Sequence, residues 1–284
     1  MLHDKKKILI TVLFAVLFTG HAVSVGAYVL NGHHLIDLMT KKLKGAKTLL
    51  VTQKLTIFDT SDPKKAARFD ETLRYVFPET FRSDIRSESA QRIKIVSKGE
   101  ILTVIDGKIS SRTETRFDRY KDILLYHSRK LLQNHLDRLG LDSSVSSLGR
   151  FEGKVVFVLG SEYPDESRPQ IWIEKDTFMP VRWVIDAKTA DRPEDFLEVR
   201  YLRWRHIDKA WYPMHIEFYQ NHKLERDIRV ETVQVNPVFM ENLFDINQLI
   251  LTYRPKTEIP PDQPKQSEIN EVQKTIKDFK MIYD

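Results

Sequence analysis

The stretch IWIEKDTFMPVRWVIDAK, residues 171 to 188, predicts two short strands around a tight turn. Side chains alternate along a strand, so Ile171 and Ile173 point to one face and Trp172 to the other. Later in the chain, Met214, Ile216 and Phe218 share one face of another strand in the same way. The sequence therefore predicts consecutive hairpins, each with one apolar face.

Similar alternating runs fill the chain from Thr48 onward and are separated by Asp, Pro, Ser and Gly. They add up to about a dozen strands that are adjacent in sequence. A sheet of this size usually curls, because a flat one leaves its faces and edges exposed. We expect a mainly β fold with some α structure, in which helices cover or plug the concave face of a large curled antiparallel sheet.

Two segments before the second half of the sheet have helical spacing. Leu35, Leu38, Met39 and Leu43 predict a first amphipathic helix that ends at Gly45. A longer helix is predicted from Arg119 to Gly140, with two apolar stripes. One stripe contains Tyr120, Ile123, Leu124 and Leu131, and the other contains Leu125, Leu132, Leu136 and Leu139. Either another element covers the second stripe, or this helix plugs the sheet and meets a cavity.

The N-terminus has the pattern of an export signal. Three lysines precede an apolar run from Ile8 to Phe18, and small residues end at Ala27. The run is short for a membrane-spanning helix, so we expect a signal peptide over residues 1–27 that is cleaved after Ala27, with an uncleaved anchor as the alternative. The chain has no cysteine, hence no disulfide and no site for N-terminal acylation, which suits a bacterial periplasm.

The C-terminal part is predicted to leave the sheet. Residues 254–266 are rich in proline and form an extended connector, which leaves 28–253 as the main domain. Residues 267–284 predict an amphipathic helix with Ile269, Val272, Ile276 and Phe279 on one side.

Motifs for chemistry are absent from the sequence. It contains no GxSxG, HExxH, EF-hand or GxGxxG pattern, and we predict neither catalytic residues, nor a metal site, nor a cofactor. Glu162, Asp165 and Glu166 either form a cation site or an ordinary acidic turn. Arg203 and Arg205 beside Trp204 are either a solvated face or a contact for anionic lipid. The net charge of +5 is mixed along the chain and argues against nucleic acid as a partner.

Several segments together resemble the LolA-like, outer-membrane lipoprotein-sorting family. They are TLLVTQKLTIF, LRYVFPETFRSDI, IVSKGEILTVIDGK, IWIEKDTFMPVRW and YLRWRHIDKAWYPMHIEFYQNHKLERDIRVETVQVN followed by LFDI, within residues 31–250. The resemblance implies an unclosed antiparallel barrel with helices as a lid over an apolar cavity. It also implies a periplasmic carrier without catalysis, which binds acyl chains of lipoproteins or other lipids for transport to the outer membrane.

On this basis we expect a monomer that contacts membranes transiently, with envelope transport proteins as further partners. The alternative is a lipid-sensing or protein-binding module of the cell envelope. The residues expected to line the apolar cavity or its lid are Leu124, Leu125, Leu131, Leu132, Leu136, Phe157, Trp172, Trp183, Met214 and Phe218. These aromatic and aliphatic side chains would fill a packed core equally well.

The sequence departs from the family pattern at one position. The family's RPxxF stretch has a lid-latching arginine before proline, and here Phe77 precedes Pro78. Arg74 and Arg82 flank the position without filling it.

Overall fold

The computed structural model describes residues 29–59, 66–88, 90–186 and 196–255, without the side chains of the last two. The predicted signal peptide, most of the connector and the predicted tail helix lie outside these residues. Within them, no helix is both long enough and apolar enough to cross a membrane.

The described residues of the first half of the chain form one helix and a six-stranded meander. Helix α1 spans Gly32–Leu43, and Asn31 caps it by accepting a hydrogen bond from the backbone N–H of His33. The strands are β1 (Thr48–Phe58), β2 (Ala66–Val76), β3 (Thr80–Arg86), β4 (Gln91–Ser97), β5 (Glu100–Ile105) and β6 (Lys108–Ser111).

A helical segment follows, made of a 3₁₀ helix (Arg116–Lys121), α2 (Asp122–Leu125) and α3 (Arg129–Arg138). The second meander contains β7 (Ser146–Phe151), β8 (Lys154–Leu159), β9 (Gln170–Glu174), β10 (Pro180–Asp186), β11 (Leu197–Ile207), β12 (Ala210–Gln220) and β13 (Lys223–Val235). A 3₁₀ turn (Glu241–Phe244), α4 (Ile246–Thr252) and the short strand β14 (Arg254–Pro255) end the described chain.

All strands in the described residues belong to one fourteen-stranded sheet in the order β14-β6-β5-β4-β3-β2-β1-β13-β12-β11-β10-β9-β8-β7. β1 pairs with both β2 and β13 and so joins the two meanders. β7 and β14 stand at opposite ends of the order, which makes the sheet an unclosed barrel, as predicted. β14 pairs in parallel with β6, so the sheet extends two residues beyond the predicted domain boundary.

The apolar core lies between the inner face of this sheet and the helices α1, α2 and α3. Leu49, Val51, Leu55 and Ile57 of β1 alternate into it, as the period of two requires. The predicted hairpin is confirmed: Ile171 and Ile173 are in the core, and Trp172 lies on the outer face with Val156 and Val158.

A second apolar cluster covers the outer face of β4 and β5. Ile93, Ile95, Leu102 and Val104 pack there against Ile246 of α4. β4 is therefore buried on both faces, which explains its five consecutive buried residues.

Candidate functional site

The helical segment from Arg116 to Arg138, which we call the plug, covers the concave face of the sheet. The prediction of one continuous helix from Arg119 to Gly140 is wrong, because the helix breaks at residues 126–128. The break lets both predicted apolar stripes reach the core. Ile123 and Leu125 are fully buried before it, and Leu132 and Leu136 are fully buried after it.

The break is fastened to the sheet by aromatic stacking. The ring of His127 lies 3.9 Å from that of Phe77, at an interplanar angle of 15°. Phe77 in turn stacks on Tyr75, with 5.8 Å between ring centroids. Phe77, which stands where the resemblance implies a latching arginine, thus contacts the plug directly, through stacking rather than through a guanidinium.

His127 is a partly buried, neutral imidazole. Burial lowers its pKa to about 4, the carbonyl of Leu124 acts in the opposite direction, and the ammonium of Lys44 lowers the pKa further. Its Nδ1 is buried and has no hydrogen-bond partner among the residues that the structure describes. Burial therefore favours the uncharged ring.

Arg74 and Arg82, which flank Phe77 and Pro78 in the sequence, do not replace the missing arginine. Arg74 donates to Asp84 at 2.5 Å, and Arg82 holds the same carboxylate at 2.8 Å. Arg82 also donates to the carbonyl of Leu243. Both arginines are thus engaged with Asp84, away from the plug.

A buried ionic network forms the second attachment of the plug. Asp118 accepts from Arg92 at 2.8 Å and from Lys94 at 2.5 Å, both on β4. Lys121 contacts Glu114 at 2.6 Å and Asp122 at 2.8 Å. The network joins the inner face of β4 to the start of the plug.

The charges of this network stabilise one another. Burial opposes ionisation of Asp118, but Arg92 and Lys94 outweigh it and hold its pKa well below the usual range. Burial likewise opposes the charge of Lys121, but Asp122 and Glu114 prevail and raise its pKa above the ordinary value. Asp118 and Lys121 are therefore ionised in the folded protein, whereas burial lowers the pKa of Lys94 against the opposing effect of Asp118.

Polar side chains also replace apolar ones on the inner faces of β1, β2 and β3. Glu71 accepts hydrogen bonds from Gln53 and Ser83, both at 2.6 Å. Burial raises the pKa of Glu71, and the two hydrogen bonds act in the opposite direction. Gln53 approaches the hydroxyl of Tyr120 in the plug at 3.4 Å.

Two groups of side chains in the described residues have the composition of a cation site. In the first, Glu114, Asp122 and His135, the ammonium of Lys121 already bridges the two carboxylates. In the second, His215, Glu217 and Asp227, the guanidinium of Arg229 forks onto Asp227. Protein cations thus neutralise Glu114, Asp122 and Asp227.

The acidic turn at residues 161–167 has an ordinary structural role. Glu166 forms a double hydrogen bond with Arg182, at 2.6 and 2.9 Å. Asp165 accepts from the backbone N–H of Ser167. These contacts account for the two carboxylates as parts of a turn.

The structure places seven of the ten predicted site residues together in the main core. They are Leu124, Leu125, Leu132, Leu136, Phe157, Trp183 and Phe218. Leu131 and Met214 are partly exposed, and Trp172 lies on the opposite face of the sheet. The residues that fasten the plug were missed, although polar residues at the inner-face positions 53, 71, 83 and 94 were a usable signal.

Two clefts open at the end of the sheet that carries the turns at 77–79, 98–99 and 208–209. The seam cleft, of about 490 Å³, lies between α3 and the β2–β3 and β4–β5 turns. Its lining includes Glu79, Tyr126 and Leu131. The aromatic cleft, of about 410 Å³, has Phe151, Met179, Trp204 and Trp211 among its lining residues.

An unclosed antiparallel barrel whose concave face is covered by short helices defines a LolA-like fold. Three solved structures share it over 77% of this chain. They are a putative outer membrane lipoprotein-sorting protein domain from Vibrio parahaemolyticus (TM-score 0.52, 11% identity, 97% of that chain covered), a DUF1329 family protein from Desulfovibrio piger (0.51, 14%, 97%) and a LolA superfamily protein from Nitrosomonas europaea (0.50, 7%, 99%). The predicted resemblance in fold is confirmed.

Comparison with sequence-based family models gave no match. No curated protein matched either.

Proposed function

We propose that this chain is a non-enzymatic periplasmic carrier for acyl chains of lipoproteins or other lipids. The observation that carries the proposal is the division of the core between two layers, the sheet and the plug. Apolar side chains of the sheet face apolar side chains of a plug that adds no strand to the sheet. Displacing the plug would expose a continuous apolar surface inside an unclosed barrel.

Burial of an acyl chain there would be favourable. Each methylene removed from water contributes about 0.8 kcal/mol, so a chain of ordinary length would compensate for lost contacts between plug and sheet. The seam cleft is the natural entrance, because it lies where α3 meets the sheet and Leu131 already faces it. Leu124, Leu125, Leu132, Leu136, Phe157, Trp183 and Phe218 would contact the ligand after the plug moves.

The first test is to identify what the protein carries. The chain is purified from periplasm without detergent, and native mass spectrometry is followed by organic extraction. We expect a co-purifying acylated molecule. An empty protein that also fails to take up an added fluorescent fatty acid would contradict the proposal.

A second test addresses movement of the plug. The natural chain has no cysteine, so the pair Phe77→Cys and His127→Cys can be bridged selectively by a short thiol cross-linker. We expect bridging to abolish uptake of a fluorescent fatty acid, and the unbridged variant to retain it. The matched control is Phe239→Cys with Phe244→Cys, another aromatic pair, outside the plug, with ring centroids 5.8 Å apart.

A protein-binding module is the second candidate, favoured by exposed apolar side chains near the end of the described chain. Val238 is 97% exposed, Leu251 88% and Met240 68%. The predicted tail helix at residues 267–284 would add a further apolar face. Deleting 267–284 would abolish capture of an envelope protein and spare lipid uptake if this candidate is correct.

A further inference from the structure

One end of the molecule combines a cleft with an aromatic wall and a group of exposed cations. Trp204 and Trp211 line the aromatic cleft, and both rings are partly exposed. The ammonium of Lys42 lies 5.2 Å from the ring centroid of Trp211. Arg203, which also lines the cleft, has a left-handed backbone with φ of 54°, and its side chain is exposed.

The cations come from two segments that the fold brings together, the end of α1 and the β11–β12 turn. A Cβ at Gly45 would lie 1.5 Å from the carbonyl oxygen of Lys209, so the two backbones are in direct contact. We call the resulting surface the basic end. Its cations are Lys42, Lys44, Lys47, Arg203, Arg205 and Lys209, all exposed.

The charge of this surface is unbalanced. None of its six cations has an ion-pair partner among the residues that the structure describes, whereas the neighbouring Lys41 pairs with Asp37 and Lys154 with Glu174. Two further exposed carboxylates, Glu152 and Asp208, lie near it. The basic end therefore retains a net positive charge around an apolar cleft.

We propose that the basic end docks on the surface of a bilayer containing anionic phospholipids. Its cations contact the headgroups, Trp204 and Trp211 lie at the interface, and the aromatic cleft takes part of one acyl chain. Tryptophan favours the membrane interface because its ring is apolar with one polar N–H. Cationic groups are attracted to the negative potential of such a surface. This docking surface is independent of the carrier proposal and would hold even if no lipid enters the core.

The combination of cations and an aromatic cleft favours a membrane over an acidic protein as the partner of the basic end. Cations alone suit either partner, but an apolar cleft with aromatic walls inside a cationic rim matches an anionic amphiphile. Phe151, Val156 and Met179 provide the apolar part of the cleft.

The test measures partition of the full chain, purified without detergent, into vesicles by flotation. One set of vesicles contains phosphatidylcholine alone, and in the other set part of it is replaced by phosphatidylglycerol. The test variant carries Lys42→Gln, Arg203→Gln and Lys209→Gln. The control variant carries Arg86→Gln, Lys108→Gln and Lys223→Gln, which removes the same number of exposed cations at the opposite end of the sheet. Thermal unfolding establishes that both variants fold.

We expect binding to the anionic vesicles only, and weaker binding as salt is raised. Each cation near an anionic surface changes the partition coefficient about fivefold. The partition coefficient of the test variant should therefore fall about 100-fold, and that of the control variant should equal that of the natural chain. Equal loss in both variants would show that net charge alone is responsible and would overturn the proposal. So would the absence of binding to anionic vesicles.

Discussion

His127 is an uncharged imidazole held against Phe77 at the break in the plug. Its pKa is about 4 in the folded protein and about 6.5 when unfolded, so the folded state binds fewer protons. The stability that this implies is present above pH 6.5 and is lost as the pH falls toward 4. Acid therefore weakens the contact of the plug with the sheet at the stack of His127 on Phe77.

Substitution of His127 by Phe should remove this pH dependence and keep the stack. The difference in free energy of unfolding between the natural chain and His127→Phe should change by about 3 kcal/mol between pH 7 and pH 4. Urea unfolding followed by tryptophan fluorescence measures it. Parallel stability curves for the two proteins over that range would contradict the assignment.

Asp118 illustrates the cost of breaking a buried ionic network. Asp118→Asn would leave Arg92 and Lys94 facing a neutral amide in a buried site, and should cost about 3 to 5 kcal/mol of stability. The control is Asp70→Asn, which removes the partner of Lys54. These two side chains are 71% and 52% exposed, so the loss should stay below about 1 kcal/mol. Urea unfolding at pH 7 compares the two, and similar losses would refute the structural role of the network.

At the scale of elements, α3 presents two kinds of leucine. Leu136 is fully buried in the core, whereas Leu131 is partly exposed and lines the seam cleft. Leu136→Ala should cost about 2 to 5 kcal/mol because it leaves a cavity. Leu131→Ala in the same helix should cost much less, and thermal unfolding measures both. If Leu131→Ala proved as costly as Leu136→Ala, this orientation of α3 would be incorrect.

The pairing of β1 predicts how protection against hydrogen exchange is distributed over the whole molecule. β1 pairs on both sides and joins the two meanders, whereas β7 pairs only with β8 within the part of the chain that the structure describes. Backbone amides of β1 should exchange with solvent only through global unfolding, and those of β7 through local opening. Hydrogen exchange followed by mass spectrometry should show the slowest exchange in peptides from β1 and β13. Equal protection of β7 would contradict this hierarchy.

Alternation of side chains was enough to predict most of the strands and much of the core, but β6 was not separated from β5 and β14 was predicted as part of the connector. Ile171 and Ile173, on one face in the sequence, are buried in the core as expected. The same reasoning placed Trp172 on the other face, where the structure has it, although it was included among the cavity residues. Residue type alone does not distinguish the two faces, because apolar clusters cover parts of the outer face as well.

The plug was harder to predict from the sequence. Its residues have helical spacing throughout, and the break at 126–128 follows from the need to bury Leu125 and Leu136 against the same curved sheet. The stack of Phe77 on His127 joins positions fifty residues apart, which no local pattern reveals. The polar residues on the inner strands indicated that something charged would cover them, but not which residues.

The sequence by itself determined about a dozen of the fourteen strands in the described residues, their alternation, the first helix and the apolar inventory of the core, because these follow from local periodicity and burial. Only the tertiary structure decided how the plug is broken and fastened, which cations gather at the basic end and which aromatic side chains face inward. These features depend on contacts between residues distant in the chain, and the curvature of the sheet sets those contacts.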